Sequence, residues 1–179
     1  MSSGTLTRQM DREPASEAAG EAKFQLVTFG VGDEEFAIDI LAVQEINRMV
    51  AFTRVPQSPA DVCGVMNLRG QIVPVVDLRE RFEIRSGKEP GHDARIIVVQ
   101  VSGRTIGFTV DWVHEVMQLD SRVVQPAPAI TSSVRSDYIR GVGMLDDRLL
   151  ILLDLERLFA EATLDELEDV VRQAGAQAV

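Results

Sequence analysis

Few side chains in this sequence are equipped for covalent chemistry. There are two histidines, His92 and His114, and one cysteine, Cys63. His92 sits in a Gly- and Pro-rich stretch and reads as solvent-exposed. His114 lies beside Glu115 in a short amphipathic segment and reads as a surface or boundary residue. No ligand spacing joins these residues into a zinc site, which needs four N, S or O donors in tetrahedral reach. Cys63 precedes Gly64 at a strand start and reads as a small buried hydrophobe. The carboxylate clusters Asp33-Glu34-Glu35 and Asp146-Asp147 fall in hairpin connections, where acidic residues are ordinary turn formers. Neither a Gly-rich phosphate loop nor a nucleophile elbow is present. The residues make no case for an enzyme, a cofactor or a metal, and leave surfaces as the means of function.

Composition narrows the partners. The 179 residues carry a formal charge of −10, with 45% hydrophobic and only 5% aromatic side chains. An acidic chain repels phosphate backbones and anionic lipid, so nucleic acid and direct membrane insertion are not expected. A lone cysteine excludes an internal disulfide, which suits a reducing cytoplasm. No apolar run approaches the roughly 20 residues that cross a bilayer as a helix, and the N-terminus lacks the order of a signal peptide. The charge is concentrated at the ends. Residues 1–22 set Arg8 and Arg12 against Asp11, Glu13, Glu17 and Glu21, a net of −2. Residues 160–179 set Arg172 against Glu161, Asp165, Glu166, Glu168 and Asp169, a net of −4. The body between them is only mildly acidic.

The elements that must present these surfaces are mostly strands. Residues 1–22 show no hydrophobic period and read as a disordered head. Phe24–Val31 and Glu35–Ile40 form a hairpin, and Leu41–Ile46 reads as a short helical turn. Gly64–Arg69 and Gln71–Leu78 pair through Gly70. Pro74, having no amide donor, predicts a sheet edge or a bulge. Leu78–Phe82 reads as a helical turn and residues 84–93 as a loop. Ala94–Val101 and Thr105–Asp111 join at Ser102-Gly103, and Val113–Val116 reads as a second helical turn. Val123–Pro128 is extended, Ser132–Tyr138 forms a short helix, and Gly141–Leu145 pairs with Leu149–Leu155. Thr163-Leu164-Asp165-Glu166 matches a capping box opening an amphipathic helix with Leu164, Leu167, Val170, Val171 and Ala174 on one face. Packing of that face on the body is the simpler reading; a partner-selecting contact is the sharper one.

The chain repeats itself. A shift of 77 residues lays Gly64–Phe82 over Gly141–Phe159 without a gap, with Gly64/Gly141, Val65/Val142, Leu68/Leu145, Asp77/Asp154, Leu78/Leu155 and Phe82/Phe159 identical. Phe36–Asp39 echoes Phe108–Asp111, and Val43–Ile46 echoes Val113–Val116. Two similar barrels of about five short strands account for this, since closure removes exposed edges and two lobes leave a cleft.

The stretch Asn67-Leu68-Arg69-Gly70-Gln71-Ile72-Val73-Pro74-Val75-Val76-Asp77-Leu78-Arg79 resembles the signature of the CheW family of bacterial chemotaxis coupling proteins. Gly32–Ile40 with Val43–Ile46, Val123–Pro128, and Tyr138–Gly143 with Asp147–Leu152 extend the likeness, in order, from about Phe24 to Phe159. The resemblance implies a mostly all-β fold of two SH3-like five-stranded barrel lobes in tandem, with short helices and a C-terminal helix. It implies a CheW-like domain of two intertwined lobes over 23–160; the disordered head over 1–22 and the acidic helical tail over 161–179, read from composition and periodicity, extend beyond the likeness. It further implies a cytoplasmic, non-catalytic adaptor, a monomer in isolation, that joins the cytoplasmic tips of methyl-accepting chemoreceptors to the regulatory domain of the histidine kinase CheA in membrane-associated arrays. Val43, Glu45, Gly64, Arg69 and Gly141 match the family's receptor-contact positions, with the kinase contacting the lobe ends. Glu45 and Arg69 equally suit a mutual ion pair bracing turn against strand, Gly64 and Gly141 a backbone geometry shared by both lobes, and Val43 ordinary core. A related adaptor for a kinase governing pili, biofilm or development is the alternative, as is a small-ligand binder using the cleft.

Overall fold

A computed structural model describes residues 23–85, 89–127 and 134–177. Eleven strands make up half of the described chain: β1 (Lys23–Val31), β2 (Glu34–Asp39), β3 (Val43–Arg48), β4 (Val62–Leu68), β5 (Gln71–Asp77), β6 (Arg95–Val101), β7 (Arg104–Val110), β8 (Trp112–Asp120), β9 (Val124–Gln125), β10 (Ile139–Leu145) and β11 (Arg148–Leu153). Two one-turn helices, α1 (Leu78–Arg81) and α2 (Leu155–Leu158), and the longer α3 (Glu161–Gln177) complete it. The head 1–22 lies outside the described residues, as do Ser132 and Ser133 of the expected helix at Ser132–Tyr138, of which Ser136–Tyr138 forms a 3₁₀ turn.

The strands form two sheets of the same design. One runs β8-β1-β2-β11-β10-β9 and the other β3-β6-β7-β5-β4. Under the sequence repeat β1 and β2 correspond to β6 and β7, β3 to β8, and the pair β4–β5 to β10–β11, so the two orders coincide. Each contains one parallel pairing, β2 with β11 and β7 with β5. An isolated bridge from Thr53 to Val65 stands where β9 pairs with β10 in the other sheet. The two-residue β9 makes one lobe six-stranded rather than five-stranded. Each lobe takes its leading hairpin from the opposite half of the chain: β1–β2 joins the lobe of β8–β11, and β6–β7 joins the lobe of β3–β5. The sequence halves are therefore intertwined.

Period-2 alternation sends each sheet's two faces to different cores. Ala37, Leu150 and Leu152 fill one barrel with Leu26 and Leu119. Met66, Val73, Val75, Ile96 and Val98 fill the other. The opposite faces, including Phe36, Ile38, Ile97, Val99, Phe108, Ile151 and Leu153, meet in one shared core between the lobes. Five of the seven phenylalanines, Phe29, Phe36, Phe82, Phe108 and Phe159, are buried there. Phe36 packs tilted against Phe82 at 5.3 Å and Phe108 stacks on Phe159 at 6.3 Å, repeat-related pairs joined through Phe29. The low aromatic content thus corrects to aliphatic barrel interiors and an aromatic seam, so the largest core belongs to neither lobe alone.

Three local expectations are overturned. Val43–Ile46 and Val113–Val116 are strands, β3 and β8, rather than helical turns; they add outer strands to the sheets, and antiparallel pairing with β6 and β1 overrides their mixed spacing. Pro74 lies in an interior strand. Its ladder to β7 spans only Val75–Asp77, so no donor is required of Pro74 on that side, and the bulge falls instead between Val62 and Gly64. The C-terminal helix begins at Glu161, so Thr163 is inside its first turn and does not cap it. Leu164, Leu167, Val170 and Ala174 are buried, the last two against Val55 and Val65. The amphipathic face packs on the body, as the simpler reading had it.

Candidate functional site

The five expected contact residues fall on both lobes. Glu45 lies on the outer strand β3, where a register irregularity separates it from Val43. Its Oε1 accepts from Asn47 Nδ2 at 2.6 Å, and its Oε2 lies 2.8 Å from Arg69 Nη2. Arg69 is on the β4–β5 turn, at the other edge of the same sheet. The ion pair therefore crosses the seam of the five-stranded barrel between its two outer strands. It is lopsided: the Arg69 side chain is 82% exposed, the Glu45 side chain 18%. Arg69 also takes a positive φ of 53°, followed by Gly70 at 85°, the pair of left-handed residues that a tight two-residue hairpin demands. Asn67 Oδ1 accepts from Gly70 N at 2.8 Å and fixes the turn. Val43 is half-buried against the shared core.

The two glycines do the same job in each lobe. Gly64 has φ +142°, and a Cβ there would stand 2.4 Å from the Thr53 carbonyl oxygen. Gly141 follows a register shift in β10, and a Cβ there would stand 2.6 Å from Val124 Cγ1 and 3.0 Å from Gln125 O. Both are points where a short crossing segment rests directly on the strand backbone. That is the shared geometry the repeat suggested. Gly141 belongs to the six-stranded lobe, whereas the other four expected contacts belong to β3, β4 and the turn after it.

Sequence reading missed the apolar rim beside the ion pair. Leu41 is 89% exposed, and Ile46, Met49 and Val50 are exposed along β3 and the residues after it. Reading this segment as a helical turn concealed that Gln44, Ile46 and Arg48 share the outward face of a strand. On the other lobe Val116, Val123 and Met144 are exposed.

Two ion pairs fix the lobes around these surfaces. Arg79 Nε and Nη2 donate to Asp111 Oδ1 and Oδ2 at 2.9 and 2.7 Å, and Gly32 N donates to the same Oδ2 at 2.7 Å. The β1–β2 turn of one sheet is thereby tied to the helix following β5 of the other. Hydrogen bonding to Asp111 holds the Arg79 guanidinium charged still more firmly than usual. Arg81 Nη1 donates to Asp61 Oδ2 at 2.9 Å. Next to this frame, an open cavity of about 830 Å³ is lined by Phe52, Cys63, Asp77, Arg79 and Asp111 among others. Cys63 is half-buried at its wall rather than fully buried; desolvation, then the nearby Asp77, pushes its thiol up to about 11. A thiol so raised is a poor nucleophile. His92 and His114 are both exposed, as expected. Among the described residues no group of three or more His, Cys, Asp or Glu stands close enough to hold a metal, and no helix is long and apolar enough to cross a membrane.

Known proteins share this arrangement. The chain is 37% identical over 158 residues to the chemotaxis protein CheW of Klebsiella aerogenes, covering 88% of this chain and 95% of that one. It is 36% identical over 137 residues to a probable chemotaxis protein CheW of Rhizobium etli, covering 76% and 88%. The crystal structure of the scaffolding protein TtCheW from Thermoanaerobacter tengcongensis superposes with a TM-score of 0.72 at 34% identity, covering 79% of this chain and 96% of that one. The tandem barrels, the interleaved hairpins and a match to the CheW-like domain over residues 25–163 agree: the chain belongs to the CheW family.

Proposed function

We propose that this protein is a non-catalytic chemotaxis adaptor that couples the cytoplasmic tip of a methyl-accepting receptor to the regulatory domain of the kinase CheA. Its place of action is the cytoplasm, at receptor arrays on the membrane. Val43, Glu45 and Arg69 form the receptor contact, while Gly64 and Gly141 keep crossing segments close enough to shape it. The observation that carries this reading is the exposed Arg69 guanidinium, held by a mostly shielded Glu45 beside the apolar rim of Leu41, Ile46, Met49 and Val50. An apolar strip flanked by an oriented charge suits an amphipathic helical tip, whose apolar positions bury while a carboxylate meets the arginine.

The mechanism is geometric. Two partner surfaces on one body convert the meeting of receptor and kinase into an intramolecular encounter, raising their effective concentration without new chemistry. The shared aromatic core and the Arg79–Asp111 tie supply the stiffness this requires. A pull-down with a receptor cytoplasmic tip and with CheA tests the reading. Capture of both, and a ternary complex dependent on this chain, is the expected result; capture of neither would sink it.

A further inference from the structure

Position 81 breaks the internal repeat. Its counterpart 77 residues on is Leu158, completely buried in α2, whereas position 81 in α1 carries an arginine. The fold shared by the two lobes therefore does not require a charge at this point. The guanidinium is engaged on several sides. Nη1 donates to Asp61 Oδ2 at 2.9 Å, and Nη2 donates to the Leu158 carbonyl at 2.7 Å and to Thr163 Oγ1 at 3.1 Å. Its Cζ lies 5.9 Å from the Tyr138 ring centroid. Asp61 leads into β4, and its carbonyl accepts from Asp77 N, the residue that caps α1. Leu158 follows β11 and Tyr138 precedes β10, both in the six-stranded sheet. Thr163 belongs to the first turn of α3. One planar fork thus joins the five-stranded lobe, the six-stranded lobe and the C-terminal helix, a task for which a single ammonium lacks the divergent donors.

Leu164 and Leu167, on the first two turns of α3, enter the shared core, and the rest of the helix is held to one lobe. Val170 and Ala174 pack on Val55 and Val65, and Arg104 on β7 reaches Asp165 and Glu168 at 3.1 and 3.3 Å. Without Arg81 the start of α3 would keep only its apolar contacts and the short link from α2, with no polar tie there between the lobes. With it, the start of α3 is fastened to α2 of the other lobe. We propose that Arg81 is a positioning residue that makes α3 a strap across both lobes, so that the C-terminal helix stiffens the frame between the partner surfaces instead of touching a partner. The inference rests on the coupling function proposed above.

Hydrogen exchange of the full chain, paired with binding and kinase assays, tests it. Arg81→Met is expected to raise exchange about tenfold in both 161–177 and 136–140, with β6 and β7 unchanged. Separate affinities for the receptor tip and for CheA should stay within about twofold, while receptor-dependent kinase control falls at least about fivefold. Arg81→Lys should restore part of that control. Unchanged protection of α3 in Arg81→Met overturns the strap. So does a loss of either separate affinity as large as the loss of control, since Arg81 would then act at a contact. Should Arg81→Met not fold, Thr163→Val removes the α3 acceptor alone; faster exchange in α3 supports the strap and unchanged exchange overturns it. If the wild-type chain binds neither partner, the coupling function fails, while the exchange measurements still decide the strap.

Discussion

Arg69→Gly separates the two roles open to the most exposed member of the site. The substitution removes the 2.8 Å pair with Glu45, which crosses the barrel seam. An ion pair this open to solvent contributes only about 0–1 kcal/mol. It also removes a left-handed non-glycine residue at φ 53°, relieving about 1 kcal/mol of backbone strain. Glycine adds freedom to the unfolded chain worth about 0.4–1 kcal/mol in the opposite direction. These contributions nearly cancel, so the net loss of stability should be about 0–1 kcal/mol. For a chain of this size that is a fall in melting temperature of no more than about 4 °C. Receptor affinity should respond far more. A charge-assisted hydrogen bond to a partner carboxylate is worth about 1.5–3 kcal/mol, so the dissociation constant should weaken at least about tenfold. Thermal melts and titration with a receptor-tip fragment are the paired assays. A stability loss above about 2 kcal/mol with proportionate loss of binding would make Arg69 a brace instead of a contact. Unchanged affinity in a folded variant would remove it from the contact altogether.

Other perturbations test the frame around the site. Gly64→Ala and Gly141→Ala should each cost about 1–3 kcal/mol by overpacking, read as a lower urea midpoint. Gly64→Ala should be the worse, because its Cβ meets a carbonyl oxygen at 2.4 Å on a backbone at φ +142°. Val124→Ala should partly rescue Gly141→Ala, since Val124 Cγ1 is the nearest obstacle; no rescue would place the strain elsewhere. Phe108→Ala should cost about 3–5 kcal/mol by opening a cavity in the seam, and both lobes should melt together because that core belongs to both. Separate transitions would contradict the shared core. Cys63, with its thiol pushed up to about 11, should alkylate slowly at pH 8, where about a thousandth is thiolate against about a quarter of an ordinary thiol. Because the folded state holds this proton more tightly, stability should decline as pH rises from about 8.5 towards 11. An alkylation inflection near 8.5 would disprove the desolvated site.

Most of the strands were legible because alternation and turn chemistry are local. Ser102-Gly103 and Asp146-Asp147 both take positive φ at their hairpins. The capping aspartates Asp77 and Asp154 sit at repeat-equivalent positions and accept from the first turns of α1 and α2. The failures share one cause. Whether Val43–Ile46 and Val113–Val116 extend depends on partners far away in the chain, β6 and β1, and nothing within four residues records them. The same holds for Thr163, which resembles a cap in sequence but accepts from Arg81, 82 residues earlier.

The sequence by itself determined the composition of the parts: two copies of a strand-rich unit and an amphipathic final helix. It also carried the Glu45–Arg69 pairing as one of two readings, a brace of turn against strand, which the 2.8 Å ion pair matches. Only the tertiary structure decided that the copies exchange their leading hairpins, that the phenylalanines leave the barrels for the seam between them, and that Arg81 reaches three segments at once. Period and propensity act over a turn or a strand, whereas the choice of which sheet a hairpin completes is made by the apolar surface it buries on arrival.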